Sequence, residues 1–214
     1  IVYIAEYKGK TLSSQYINNH KICVQSTRLL RPASEAELLK LGVFTSGVHT
    51  TSLSHIIVMG DARVCLLKRS IVTAYDRATI TSKPGVGVTC TAYDRSTVTL
   101  SNGTITLNDR AKAVVTNSVF VSANDNSRVV SSGNAEVYLY DSSRVVASDQ
   151  SKVNLFDEAS ALITDKAHAT VNRSNQKVSA YKNSTITFDP PSYVSKNVCK
   201  SDFKPELFDK AKLL

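Results

Sequence analysis

The sequence of 214 residues contains no tryptophan, one methionine, five prolines and eight glycines. It has no apolar run that approaches the ~20 residues a helix needs to span a bilayer, so a helical membrane protein is excluded. Residues 1–7, IVYIAEY, form a short alternating stretch without a basic leader or a small-residue cleavage site. They predict a strand and not a signal peptide.

Cysteine and histidine are equally sparse. The cysteines have neither disulfide nor zinc-site spacing, which favours a reduced, intracellular origin; they are Cys23, Cys65, Cys90 and Cys199. The histidines lack a partner at ligand spacing; they are His20, His49, His55 and His168. No Gly-rich phosphate loop or nucleophile elbow is present. The sequence therefore predicts a protein that is not an enzyme and has no catalytic residue, metal or cofactor.

The chain is rich in Thr, Ser, Val and Asn, which suit strands and tight turns. It has only six Phe and nine Tyr, so its core should consist mainly of small β-branched side chains. The formal net charge is +8. This charge makes an acidic partner possible, nucleic acid included.

An eight-residue repeat runs from about Ser54 to Asp189 in about seventeen degenerate copies. Four copies between Ser127 and Glu158 align without gaps. The first place of the unit is small, the third is Val, the fifth is aliphatic in three of the four copies and the seventh is Asp or Gly. Apolar and polar places alternate, which predicts strands with one buried face.

Two places in the unit predict specific structural features, namely internal ladders of side chains and turns. Third-place residues should stack as internal ladders; they are Val64, Val72, Ile80, Cys90, Val98, Ile105, Val121, Val129, Val137, Val145, Val153 and Ile186. Seventh-place Asp should end each strand, because Asp tolerates left-handed geometry and can bond the backbone that follows it. These residues are Asp76, Asp94, Asp109, Asp125, Asp141, Asp149, Asp157 and Asp165.

Alternate units differ at the fourth and sixth places, which indicates two units per coil. One set has aliphatic fourth-place residues, whereas the other has mostly Thr, Ser or Asn. We therefore predict an all-β fold, a parallel β-solenoid (β-helix) with about 16 residues per coil in two sheets. About eight coils at ~4.8 Å spacing would extend for about 40 Å. A three-sided coil of about 24 residues is the alternative, and it leaves the alternation unexplained.

Short helical flanks are predicted at both ends of the solenoid. Ser34 to Glu37 form a capping box that starts a helix. Pro190-Pro191 stops the last strand, and Pro205 starts a terminal helix. We interpret residues 1–53 and 190–214 as capping or docking segments around a solenoid of residues 54–189, because bare end coils would expose strand edges. The alternative for residues 192–214 is a disordered tail.

The first candidate surface combines the fourth-place aliphatic residues with a second-place ladder of basic residues. This candidate interaction face consists of Lys112, Val114, Arg128, Val130, Arg144, Val146, Leu162 and Lys177. An exposed apolar stripe of this length is unusual on a soluble monomer. Two explanations stay open: the N-terminal segment folds across the stripe, or the stripe forms a homo-oligomeric contact.

The second candidate surface is an edge where aromatic rings and arginines interleave. This candidate nucleic-acid or glycan edge consists of Tyr75, Arg77, Tyr93, Arg95, Arg110, Tyr140 and Phe156. Aromatic rings stack on bases or sugars, and arginines pair with phosphates. The alternative is that the rings stack only on one another and stabilise the turns.

Units such as TAYDRSTV at 91–98 and LYDSSRV at 139–145 resemble the degenerate AYDSSxV repeats of bacteriophage and prophage solenoid proteins. The resemblance covers about two thirds of the chain and concerns the fold more than the function. It implies a phage-associated scaffold in the virion or the host cytoplasm, either a virion accessory piece or an early protein that binds a host factor.

We therefore expect a non-enzymatic structural or protein-interaction module that binds a protein partner or forms a homo-oligomer, without membrane association. The second hypothesis is a binder of nucleic acid or an inhibitor of a host defence factor. The third is a glycan-binding fibre module that uses the aromatic edge.

Overall fold

The computed structural model describes residues 3–7, 10–11, 28–172, 176–189 and 198–200. Strands β1 (Tyr3–Tyr7), β2 (Lys10–Thr11) and β3 (Arg28–Pro32) form a small antiparallel sheet in the order β2-β1-β3. The strand predicted at the N-terminus is thus present as β1. The predicted Pro190-Pro191 stop and the helix starting at Pro205 lie outside the described residues.

The capping box predicted at Ser34 starts a short helix, α1 (Glu35–Lys40). The Ser34 backbone N–H donates to Glu37 Oε2 at 2.9 Å, and the Glu37 backbone N–H donates to Ser34 Oγ at 3.4 Å. Arg31 Nη2 lies 2.6 Å from Glu37 Oε1. The hydrogen bond from Arg31, followed by those from Ser34, holds the pKa of Glu37 well below its ordinary value. The predicted capping box and the helix that it starts are therefore confirmed.

In the described part of the chain, eighteen parallel strands follow the helix. They are β4 (Val43–Phe44), β5 (Val48–Thr51), β6 (His55–Val58), β7 (Arg63–Leu66), β8 (Ser70–Ala74), β9 (Thr79–Ser82), β10 (Val88–Ala92), β11 (Thr97–Leu107), β12 (Lys112–Ala123), β13 (Arg128–Ser131), β14 (Glu136–Leu139), β15 (Arg144–Ala147), β16 (Lys152–Leu155), β17 (Ser160–Ile163), β18 (His168–Val171), β19 (Lys177–Ala180), β20 (Thr185–Phe188) and β21 (Val198–Lys200).

Most short strands pair in parallel with the strand two places further along the chain, as β13 does with β15 and β14 with β16. The two series of strands form two faces, and one coil takes about 16 residues. The predicted two-sheet β-solenoid is confirmed. It has about nine coils, and the parallel ladder already begins where Val43 pairs with Ile57.

The two longest strands, β11 and β12, each contribute to both faces. The first half of β11 pairs with β9, and its second half pairs with β10. At the bend between these halves, Gly103 has a φ of +127°, and a Cβ there would lie 2.0 Å from the carbonyl oxygen of Val88. Only glycine lets the backbone pass this closely, so Gly103 marks a corner of the coil.

The core consists of stacked ladders from the first, third and fifth places. In the third-place ladder, Val121 aligns with Val137 and Val137 with Val153, and all three are fully buried. Eleven of the twelve predicted third-place residues are buried, and Ile186 in the last coils is half-buried. Burying each such side chain stabilises the fold by about 1.5–3 kcal/mol relative to leaving it exposed.

The eight predicted Asp turns all have left-handed backbone, with φ between +50° and +60°. The partners of their carboxylates differ from the prediction. Asp94 Oδ2 accepts the backbone N–H of Asp76 in the preceding coil at 3.0 Å, and Asp109 Oδ2 accepts that of Asp94 at 3.1 Å. The same link repeats between successive coils from Gly60 to Asp157. These aspartates therefore join the coils to one another and do not merely shape their own turns.

Among the described residues, no helix is long and apolar enough to cross a membrane.

Candidate interaction surfaces

The first candidate surface is the outward side of the sheet that contains β13, β15 and β17; we call it the basic face. Its second-place ladder aligns Lys112 with Arg128 and Arg128 with Arg144. It continues through Ser160 to Lys177. Its fourth-place ladder consists of Val114, Val130, Val146 and Leu162. The structure thus brings all eight predicted residues of this face together.

The aliphatic row of the basic face is partly open to solvent. Val114 and Val146 each keep 40% of their surface exposed, while Val130 and Leu162 are half-buried. The described N-terminal strands pair only with one another. They add no strand to the solenoid sheets.

The basic face carries charge of one sign. From β5 to β19, no Asp or Glu occupies an outward second or fourth place on this face. Lys112, Arg128 and Arg144 are exposed, and none of them forms an ion pair with a described residue. Three cations on neighbouring strands of this face, at ~4.8 Å spacing, therefore have no counter-charge among the described residues and favour an external acidic group.

The sheet that contains β14, β16 and β18 forms the opposite side of the solenoid, and we call its outward side the second face. The second candidate surface lies at the turns that lead from the second face back to the basic face. The Arg95 backbone N–H donates to the Asp76 carbonyl at 2.8 Å, and that of Arg110 donates to the Asp94 carbonyl at 2.9 Å. These bonds align Arg77, Arg95 and Arg110 on consecutive coils. The three arginines line an open groove of about 830 Å³ together with Gly60, Asp61, Asp76, Asp94 and Asp109. We call this groove the corner groove.

The charged groups of the corner groove do not neutralise one another in ion pairs. Within the described chain, no carboxylate oxygen lies within 4.0 Å of the guanidinium nitrogens of Arg77, Arg95 or Arg110. The Asp76 and Asp94 carboxylates instead accept backbone N–H groups. The groove therefore presents free guanidinium donors beside carboxylates whose positions are fixed.

The predicted aromatic edge is divided into two stacks. Tyr75 and Tyr93 have ring centroids 5.1 Å apart with an interplanar angle of 9°. Tyr140 and Phe156 lie 4.9 Å apart at 10°. Between the stacks, Asn124 Nδ2 donates to Asn108 Oδ1 at 3.1 Å. Burial, followed by the neighbouring Tyr93, raises the pKa of Tyr75. These stacks support the structural interpretation of the rings, because stacked faces are not free for a ligand.

Phe120 and Tyr138 extend the second stack, and the repeat pattern did not predict them. Phe120 lies 5.1 Å from the ring of Tyr138, which lies 6.4 Å from that of Phe156. The Tyr138 hydroxyl donates to Glu136 Oε1 at 2.8 Å, and this bond is the main cause of its raised pKa. The two residues occupy different places of the unit, so a place-by-place alignment does not reveal their contact.

The described residues contain no group of three or more His, Cys, Asp or Glu side chains that could hold a metal ion. Comparisons with protein families, curated proteins and solved structures return no match to this chain. The assignment of a function therefore depends on the surfaces themselves.

Proposed function

We propose that this chain is a non-enzymatic β-solenoid module that binds an acidic protein partner through the basic face. The observation that carries the proposal is the register of three cation and valine pairs on consecutive coils: Lys112 with Val114, Arg128 with Val130, and Arg144 with Val146. A partner with acidic and apolar side chains would satisfy both rows at once, because apolar contact supplies affinity while charge selects the partner.

Self-association through the same face is a weaker proposal. In a symmetric dimer, each copy would bring Lys112, Arg128 and Arg144 to the interface without any carboxylate to face them. Juxtaposed like charges cost several kcal/mol. A homo-oligomer would therefore need a different surface, whereas an acidic partner complements this one. We expect light scattering at micromolar concentration to report a monomer.

Nucleic acid is the second candidate partner, supported by the same three cations. A phosphate backbone would pair with them but would leave the valine row without an apolar counterpart. Its affinity would also fall with salt, with a slope of about −0.7 per phosphate contact for a single strand. The phage-type repeats would suit either a virion accessory piece or a protein directed at a host factor, and both could use this face.

Binding of model partners to the full chain tests the proposal. The probes are a fluorescent random copolymer of Glu and Leu, polyglutamate, and a single-stranded oligo-dT. We expect the Glu/Leu copolymer to bind more tightly than polyglutamate, because only the copolymer covers the valine row. A higher affinity for oligo-dT than for the copolymer would favour the nucleic-acid alternative.

Two charge-reversal variants localise the contact. Arg128→Glu should weaken copolymer binding about tenfold or more, because it introduces a like charge in the middle of the basic row. Lys152→Glu is the matched control, since Lys152 is also an exposed second-place cation but lies on the second face. Equal losses in the two variants would show that only net charge matters and would refute a specific basic face.

A further inference from the structure

The corner groove has a charge pattern unlike that of the basic face. Three guanidinium groups and four carboxylates line it, so its formal charges nearly cancel. The guanidinium groups form no ion pair with a described carboxylate and are exposed to solvent. Guanidinium groups without an ion-pair partner among the described residues thus stand beside carboxylates along three consecutive coils.

This pattern selects for a ligand without net charge. A chain of phosphates would pair with Arg77, Arg95 and Arg110 but would also meet Asp61, Asp76, Asp94 and Asp109. A polycation would meet the three guanidinium groups. A neutral ligand with many hydroxyl groups avoids both repulsions, because each hydroxyl can donate to a carboxylate and accept from a guanidinium group.

The dimensions of the groove agree with a short linear chain. Its volume of about 830 Å³ lies within the ~300–1,000 Å³ that is usual for ligand sites. Successive coils are ~4.8 Å apart, which is close to the length of one sugar ring in an extended oligosaccharide. Three coils therefore match about three sugar units along the solenoid axis.

The groove is also preorganised. The Asp76 carboxylate is held by the Gly60 backbone N–H at 2.9 Å, and the Asp94 carboxylate by that of Asp76 at 3.0 Å. The stacked rings of Tyr75 and Tyr93 precede these two aspartates in the chain and restrict the same turns. Acceptors that are already fixed lose little entropy when a ligand binds.

We propose that the corner groove binds a neutral linear oligosaccharide along the solenoid axis. The guanidinium groups of Arg77, Arg95 and Arg110 donate to sugar hydroxyls, and the neighbouring carboxylates accept from them. This site uses other residues than the basic face, so it does not depend on the proposed protein partner.

A glycan array that includes neutral tetrasaccharides of glucose and of N-acetylglucosamine, followed by calorimetric titration of the hits, tests this proposal. We expect at least one neutral linear glycan to bind, with an affinity that changes little when NaCl is raised roughly tenfold, since no phosphate contact releases counterions. An array without a neutral hit would overturn the proposal. So would binding confined to tripolyphosphate or oligo-dT with a steep loss in salt.

Variants place the ligand in the groove. Arg95→Ala removes the central guanidinium group and should weaken binding of the array hit about tenfold or more, whereas Arg128→Ala on the basic face should not change it. An unchanged affinity in Arg95→Ala would refute the assignment. Arg128→Glu distinguishes the two proposals, because it should weaken copolymer binding about tenfold or more and leave glycan binding intact.

Discussion

The backbone N–H of Asp125 donates to Oδ2 of Asp141 in the next coil at 3.1 Å. Asp141 itself has a φ of +53°, and its own N–H donates to Oδ2 of Asp157 at 3.3 Å. One residue type therefore meets two demands at each turn, since it adopts left-handed backbone and links neighbouring coils.

Substitution of Asp141 separates these two demands. In Asp141→Asn, the side-chain amide oxygen replaces the carboxylate oxygen as acceptor, and Asn tolerates left-handed backbone. This variant should therefore lower the free energy of unfolding by less than about 1 kcal/mol. Asp141→Ala should lower it by about 2–4 kcal/mol, because it loses a bond to a charged acceptor and adds left-handed strain. Chemical denaturation measures both values. Equal effects of the two variants would argue against the linking bond.

The buried serines of the first place provide a second test. Ser96 and Ser143 are both fully buried. Ser96 Oγ donates to the Tyr93 carbonyl at 2.7 Å, whereas Ser143 Oγ has no hydrogen-bond partner among the described residues. Ser143→Ala should therefore leave the free energy of unfolding unchanged or raise it by up to about 1 kcal/mol.

Ser96→Ala is the matched control for this substitution. It should lower the free energy of unfolding by about 1 kcal/mol, because a satisfied hydrogen bond is lost at an equally buried position. Thermal or chemical denaturation of the two variants in parallel gives the comparison. A larger loss for Ser143→Ala than for Ser96→Ala would contradict the hydrogen-bond assignment.

Features that depend on neighbouring residues in the chain could be predicted from the sequence, whereas features that depend on contacts between coils could not. Buried third-place residues such as Val137 and the left-handed backbone of Asp141 were predictable, because the eight-residue period and the chemistry of single residues determine them. The acceptor of each Asp N–H was not predictable, because it depends on the register between coils. The first coil was missed because its strand β4 is only two residues long, too short to show the apolar and polar alternation of the repeat.

The same difference between local features and contacts between coils applies to the candidate surfaces. The ladders of Arg128 and Val130 were predictable from the alternation of units, because they run straight along the solenoid axis. The contact between Phe120 and Tyr138 was not, since it joins a second-place residue to a fourth-place residue in the next coil. The charge balance of the corner groove also required the structure, because it depends on which Asp stands beside which Arg.

Ring stacking across the coils gives a third prediction. Tyr140 and Phe156 should show a coupling of about 0.5–1.5 kcal/mol in a double-mutant cycle of alanine substitutions, because their rings are stacked at 4.9 Å. Unfolding by denaturant supplies the four free energies. A parallel cycle of Tyr75 and Phe156, which belong to different stacks, should be additive. Additivity in the first cycle would show that the stack contributes only buried area.

The thiol of Cys90 gives the last prediction, which concerns pH. Cys90 occupies a third place in the core, and burial raises the pKa of its thiol to about 12. A thiol in the unfolded chain ionises near its ordinary pKa of about 8.5. Above that pH the unfolded state loses a proton that the folded state retains. Ionisation of Cys90 therefore lowers the free energy of unfolding progressively between about pH 9 and pH 12.

Cys90→Val tests this linkage, because it keeps a small apolar side chain in the ladder and removes the titrating group. The stability of the wild type relative to this variant should fall as the pH rises through that window and stay constant below pH 8.

At pH 8, iodoacetamide should also label the half-buried Cys65 and leave Cys90 unmodified until the chain unfolds, as mass spectrometry can determine. Rapid alkylation of native Cys90 would mean that the third-place ladder is open to solvent at this coil and would contradict the packing described above.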